Sequence, residues 1–526
     1  MNKIRRKTKM IFSTCFTNKK IWLIFLFCGF LILYFGLSSM NPSLMALANP
    51  DNEAKVTHHT LRINDQEINY LATVGFVPII DQKTQTEQAR IFYIAYNRQG
   101  IANLEKRSIT FAFNGGPGAS SMMLHLGAFG PRVVEKSKDG TRLIPPPFRL
   151  VDNPNTLLDI TDLVFIDPIG TGFSRMIGGA DPTQYWGVSE DIRCIAQFIQ
   201  TYLNQNGRST SPVIISGESY GGVRGSGLAK ALQDIGVYPS GLIFISPVFD
   251  LGTIQWSSLD DRALALTIPT YAAAAWYHKK IHPNYQGDLD SVLQEVRAWI
   301  ENEYLKALWK GSALGKEERD KIVEKLSQYI GISEDLIREK NLRIYEDDFA
   351  SELLRNKDLA LGIYDTRVTI PGTYVDEDDP SYFLIGGPFK SCLAHYLKND
   401  LQFESNLSYL SGSAEVYEKW NWESGRPVPR YEGTVSLGYP NQCEELSKAL
   451  RRSDFLKVFI ASGVYDLECP YDSVLYSINH LNLPVERRNN ITLHLYPGGH
   501  MLYTNPEAHA KLKRDLQEFY QDILGE

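Results

Sequence analysis

The sequence predicts an α/β fold with a mostly parallel central sheet and helices on both faces. Short apolar runs alternate with stretches of helical spacing, the pattern left by strands buried on both sides. The strand-like runs are Ile109–Phe113, Leu163–Ile166, Val213–Ser216, Leu242–Ser246, Leu456–Ala461 and Ile491–Tyr496. Helical spacing covers Trp186–Leu203, Tyr220–Leu232 and the closing stretch Pro506–Ile523. Between the fourth and fifth runs the rhythm breaks. From about Leu251 to Glu352 the chain is rich in Lys and Glu with a 3.6-residue apolar period (Val292, Val296, Trp299, Ile300), which predicts an inserted helical subdomain.

Ahead of the first buried run, Thr60–Tyr96 alternates apolar and polar residues (Ile68, Tyr70, Ala72; Ile91, Tyr93, Ala95), the signature of antiparallel hairpins. Residues 361–440 are rich in Gly, Pro, Tyr and Trp and carry no readable period. No internal repeat or low-complexity tract interrupts the chain.

A chain of 526 residues buries an ample core without disulfides or a structural metal. Its charged fraction of 22% and hydrophobic fraction of 43% exclude a disordered protein. The net charge of −7 is unevenly spread, because residues 1–48 hold seven Lys/Arg and no Asp or Glu. The remainder carries 47 basic against 61 acidic residues, a net −14. Such a body lacks the basic footprint of a nucleic-acid partner.

The basic residues precede Ile21–Leu37, an almost unbroken apolar run, and then Ala46-Leu47-Ala48, a small-x-small cleavage pattern. Together they read as a secretory signal, with a retained anchor as the alternative. In either case the rest of the chain is expected outside, secreted or periplasmic in a bacterium, and its only membrane contact is that segment. Four cysteines follow (Cys194, Cys392, Cys443, Cys469), without a CxxC pair, which argues against zinc or redox chemistry. At most one disulfide is expected.

In a parallel sheet, ligands gather at the carboxyl ends of strands. There Val213–Ser216 runs into Gly217-Glu218-Ser219-Tyr220-Gly221 and directly into a helix. Two glycines allow a strained turn that lifts Ser219 above the sheet, the nucleophile-elbow arrangement. A serine hydroxyl needs a base, and the base an orienting carboxylate, in the chain order Ser, acid, His. His500 follows Pro497-Gly498-Gly499 after the last strand, whereas His494 alternates within that strand and His509 sits in a helix. Asp466 lies just past Leu456–Ala461, with Glu468 and Asp472 as rivals. The loop Asn114-Gly115-Gly116-Pro117-Gly118 follows Ile109–Phe113 and predicts an oxyanion hole made by the N–H groups of Gly116 and Tyr220. It lacks the Lys-Ser/Thr ending of a phosphate cradle.

These segments together resemble the serine carboxypeptidases, within the α/β-hydrolase superfamily. The resemblance is carried by Asn114–Gly118 with Ser120-Ser121, Gly130-Pro131, Phe165-Ile166-Asp167-Pro168, Gly170–Ser174, Gly217–Gly222, Asp466 with Cys469, and Gly499-His500-Met501. The wording is closest to the bacterial exported branch. The resemblance implies release of C-terminal amino acids from peptides through an acyl-enzyme on Ser219, with no metal or organic cofactor. It assigns the substrate's terminal carboxylate to Asn114, Gly115 and Glu218, makes the inserted helices a cap, and makes Cys469 a free thiol lining the cleft. It also divides the chain into the signal (1–48), a first core part (49–250), the cap (251–430) and a second core part (431–526).

Two departures stand out. The family's second carboxylate, two residues before Gly130-Pro131, is here Ala128, and a family cysteine after the glycine loop is Ala119. Arg175 and Arg224, beside motif segments, are candidates for a compensating positive charge. Two other functions fit the same residues: an esterase or acyltransferase on this triad, and a non-catalytic binding protein on a hydrolase scaffold.

Overall fold

The computed structural model describes residues 54–63, 66–81, 83–255, 260–372, 379–427 and 438–525. The segment read as an export signal lies outside the described residues, as does the expected boundary at 430/431.

The sheet opens with three antiparallel strands, β1 (Lys55–Ile63), β2 (Gln66–Ile80) and β3 (Glu87–Arg98). Next come β4 (Ser108–Phe113), a separate small pair formed by β5 (Arg132–Val134) and β6 (Leu150–Asp152), then β7 (Thr161–Ile166) and the short β8 (Arg175–Met176). β9 (Val213–Glu218) and β10 (Pro239–Ile245) follow. β11 (Leu359–Leu361) and β12 (Thr369–Pro371) pair with each other, and β13 (Lys457–Gly463) and β14 (Ile491–Tyr496) return to the main sheet. Across that sheet the order is β1-β2-β3-β7-β4-β9-β10-β13-β14, with β8 paired to β3. From β7 to β14 every neighbouring pair is parallel. The expected mostly parallel α/β sheet is therefore present, and its antiparallel edge is the hairpin region read from Thr60–Tyr96.

Burial explains why the central strands are mostly apolar. Every residue of β4, β7 and β9 is buried. Their side chains alternate between two cores: Ile109, Phe111, Ile215 and Phe244 face one, Ala112, Ile214 and Ile243 the other. Helices Val188–Gln205, Gly221–Asp234 and Cys443–Arg452 close the first core through Ile195, Leu228 and Leu446. Pro380–Asn399 and Pro506–Leu524 close the second through Phe389, Leu393, Leu512 and Leu516.

Between β10 and β13 the chain forms mainly helices, among them Arg262–Tyr277, Leu289–Trp299 and Lys316–Ile330, around a third core of Tyr271, Val296, Leu326 and Tyr329. Tyr465, Leu467 and Tyr471, just past β13, join that core and attach it to the carboxyl end of the sheet. The helix Pro380–Asn399 belongs instead to a sheet face, although it falls in the same stretch of sequence. No helix among the described residues is long and apolar enough to cross a membrane. Cys194, Cys392, Cys443 and Cys469 are all free thiols.

Candidate active site

The parallel register brings the predicted residues to one end of the sheet. Asn114–Gly116 leave β4, Glu218–Tyr220 leave β9, Asp466 follows β13 and His500 follows β14, all at carboxyl ends. Two of the loops touch at Gly115, where a Cβ would stand 2.5 Å from the Tyr220 nitrogen and 2.7 Å from the Glu218 carbonyl oxygen. Only glycine permits that approach.

Ser219 adopts φ +61°, the left-handed conformation that non-glycine residues avoid, and Gly222 N–H donates to its carbonyl at 2.8 Å. The strain is held by packing. Ser219 N–H donates to Ile245 at the end of β10, and a Cβ on Gly217 or Gly222 would strike backbone oxygen of Gly221 or Val248 at 2.4 and 2.5 Å. Within residues 213–229, Ser219 alone is not buried. The backbone N–H groups of Gly116 and Tyr220 donate to no acceptor among the described residues.

His500 Nδ1 lies 2.9 Å from Asp466 Oδ2, and both side chains are buried. Asp466 Oδ1 in turn accepts the Cys469 N–H at 2.9 Å. Burial by itself would lower the imidazole pKa, but the facing carboxylate outweighs it and the net direction is upward. The histidine is anchored through its own N–H, which donates to the Tyr364 carbonyl at 2.6 Å, while the Tyr364 ring stacks edge-on at 5.1 Å. The rivals of Asp466 are used elsewhere or left unpaired with histidine: Asp472 pairs with Arg297 at 2.7 Å, and Glu468 makes no hydrogen bond to His500.

Glu218 is 2% exposed, and burial pushes its carboxyl up to about 7, with His500, Tyr503 and Asn114 opposing the rise. Its Oε2 accepts the Tyr503 hydroxyl at 2.8 Å. Asn114 is fixed from the other side, its Oδ1 accepting Leu124 N–H at 3.1 Å.

Neither candidate arginine pairs with Glu218. Arg224 is fully buried, pairs with Asp191 at 2.5 Å and donates to the Asn114 carbonyl at 2.6 Å, between the rings of Phe113 and Tyr220. Its charge is spent on Asp191, and it braces the glycine loop against the helix behind Ser219. Arg175 donates to the carbonyls of Gly172, Ser174 and Ser408. Cys469 is free but only 1% exposed, and burial pushes its thiol up to about 12, so the expectation of an accessible cleft thiol does not hold.

Three supports of the site went unread in the sequence. Tyr503 is one. Asp167 is another, its Oδ1 accepting both the N–H and the hydroxyl of Ser121 just beyond the glycine loop. The third is the stretch around Leu410–Ser413, which bridges to Gly172 and Ala119 and gives Ser413 N–H to the Gly118 carbonyl at 2.9 Å. Among the described residues no group of three or more His, Cys, Asp or Glu could hold a metal ion.

A mostly parallel sheet with a strained serine at the end of a central strand and a buried Asp–His pair on the last two strand ends defines an α/β-hydrolase. Residues 64–235 match the family model described as serine carboxypeptidase, the family that the motifs resemble. A carboxypeptidase Y homolog of Arthroderma benhamiae is 34% identical over 121 residues, 22% of this chain and 21% of the relative. The pheromone-processing carboxypeptidase KEX1 of Vanderwaltozyma polyspora is 29% identical over 185 residues, 33% of this chain and 24% of the relative. The matches thus span a quarter or less of those relatives' length. In fold, the chain is similar to the crystal structure of the prohormone-processing carboxypeptidase Kex1Δp of Saccharomyces cerevisiae, with a TM-score of 0.53 at 17% identity over 86% of this chain and 91% of that one.

Proposed function

We propose that the protein is an exported serine-type carboxypeptidase that releases C-terminal amino acids from peptides. The observation that carries this reading is the buried His500–Asp466 pair on the strand ends beside an elbow whose only unburied residue is Ser219. Ser219 Oγ attacks the scissile carbonyl while His500 Nε2 takes its proton. Asp466 accepts from Nδ1–H, which sets the tautomer and stabilises the imidazolium as it forms. The N–H groups of Gly116 and Tyr220 receive the charge that develops on the carbonyl oxygen. The imidazolium then returns its proton to the departing amine, and water repeats the sequence to release the acyl group. Asn114, Gly115 and Glu218 meet the substrate's terminal carboxylate, which places the scissile bond one residue from the end.

The same reading takes residues 1–48 as the export signal, residues 251–430 as the cap except for the helix Pro380–Asn399, which packs on the sheet, and 49–250 with 431–526 as the two parts of the core. It is supported by the basic and apolar order of the first 48 residues and by the helical third core between β10 and β13. Ala128, which removes one carboxylate from the expected carboxylate subsite, favours a second reading as an esterase or acyltransferase on the same triad. Turnover of a blocked dipeptide with a free C-terminus, compared with its amide and its methyl ester, separates the two. Preference for the free acid over the amide supports the carboxypeptidase, and turnover of the ester alone replaces it with the second reading.

A further inference from the structure

The Glu218 carboxyl has a partner that the mechanism does not use. Tyr503 is completely buried, three residues beyond His500, and its hydroxyl donates to Glu218 Oε2 at 2.8 Å. The ring is set with little freedom. A Cβ on Gly127 would stand 2.4 Å from Tyr503 Cε2, so the glycine makes room for the phenol one residue before Ala128. Lys136 Nζ donates to the carbonyls of both Gly127 and Tyr503 at 2.7 Å and reaches His509 Nδ1 at 3.3 Å. His509 Nε2 contacts the Ala128 carbonyl at 2.8 Å. Lys136 and His509 therefore tie the turn that carries Ala128 to the turn that carries Tyr503, and the phenol oxygen is aimed at Glu218.

A phenol has one proton to give, and burial beside Glu218 holds it on the oxygen far beyond neutral pH. A carboxylate facing a substrate's terminal carboxylate repels it unless one of the two is protonated. We propose that Tyr503 is the positioning residue of the carboxylate subsite: by giving its O–H to Glu218 Oε2, it leaves Oε1 as the oxygen that carries a proton toward the substrate's carboxylate. Unlike a second carboxyl group, the phenol adds no negative charge, and its hydrogen bond fixes which oxygen bears the proton while itself favouring the ionised form of Glu218. The inference rests on the carboxypeptidase reading above and extends it to a residue outside the triad, the oxyanion donors and the expected carboxylate ligands.

The test is Tyr503→Phe, with kcat and KM measured for a blocked dipeptide free acid and for its methyl ester, per site labelled by a fluorophosphonate. The expected result is a rise in KM of about tenfold or more for the free acid, with its kcat held within about threefold and kcat/KM for the ester within about twofold. An equal fall for acid and ester, or no change in either, overturns the role of Tyr503. If Tyr503→Phe yields no labelled protein, 3-fluorotyrosine at position 503 keeps the shape and strengthens the donor. At pH 5, where Glu218 keeps its proton, it is then expected to lower the acid-to-ester KM ratio, and an unchanged ratio overturns the proposal. A wild-type enzyme that turns over the ester and not the free acid removes the carboxypeptidase reading itself and the subsite with it. That outcome is distinct from a discriminating wild type whose variant discriminates equally well.

Discussion

Asp466 Oδ2 stands 2.9 Å from His500 Nδ1, and the other carboxylate oxygen is occupied by the Cys469 N–H. With one oxygen held by backbone, the carboxylate is fixed in orientation, and Nε2 is the imidazole nitrogen not bonded to Asp466. Asp466→Asn keeps an oxygen for Cys469 N–H but turns an N–H toward Nδ1, which forces the proton onto Nε2. The expected outcome is a fall in kcat of roughly 10³–10⁴-fold with little change in thermal stability. A loss of less than tenfold refutes the assignment of Asp466. Ser219→Ala is expected to abolish turnover and fluorophosphonate labelling while still folding, because alanine meets the same cost at positive φ that serine already bears.

The proposed triad was readable because each member sits where chain order and local chemistry leave few choices. A strand, two glycines and a helix define the turn at Ser219, and His500 is the only histidine in the loop after the last strand. Tyr503 was not legible. A tyrosine near the start of a terminal helix reads as one more core aromatic, and its link to Glu218 spans 285 residues of sequence. The stretch around Leu410–Ser413 was lost for a different reason. Its contacts with Gly172 and Gly118 are made by backbone, which leaves no apolar period to read. The arginines misled because a positive charge beside a motif looks free until its partner is seen, and the partner of Arg224 lies on the preceding helix.

Cys469 is expected to resist thiol reagents in the folded protein. The reactive species is the thiolate, and burial holds this thiol up to about 12, so little thiolate exists at pH 8. Labelling by iodoacetamide, followed by peptide mass analysis with and without denaturant, checks this. Modification of Cys469 at the rate of the unfolded chain contradicts the burial.

His125 links stability to pH. It is buried with Nε2 at 2.7 Å from the Tyr96 hydroxyl, and its ring stacks on Phe165 at 4.5 Å. Burial lowers its pKa from 6.5 to about 3 in the folded state. The unfolded chain therefore takes up a proton below pH 6.5 that the folded protein refuses. The contribution is complete above that value and is lost as pH falls toward 3, at about 1.4 kcal/mol per pH unit. The difference in unfolding free energy between wild type and His125→Gln, measured from pH 7 to 5, is expected to shrink by that slope. A constant difference across the range rules the linkage out.

On the carboxypeptidase reading, Glu218 is expected to set the alkaline limit of peptide binding. Its carboxyl is raised to about 7, first by burial, while the charged or titratable groups that face it are His500, Tyr503 and Asp466, with the Asn114 amide alongside. The shift is upward for an acid, so the neutral form persists from the usual carboxyl range up to neutrality. Below pH 7, Glu218 carries a proton and can donate to a substrate's terminal carboxylate; above it, two carboxylates face each other and binding weakens. KM for a free-acid peptide is expected to stay flat from pH 5 to 6.5 and then to rise about tenfold per unit beyond 7. The methyl ester, which has no charge to repel, should show no such rise. Glu218→Gln, a neutral donor at every pH, is expected to flatten the free-acid profile. A steep rise already between pH 5 and 6 means that Glu218 titrates as an ordinary carboxyl, and a rise that persists in Glu218→Gln assigns the limit to another group. The first result removes the raised carboxyl, and the second removes Glu218 from the carboxylate subsite.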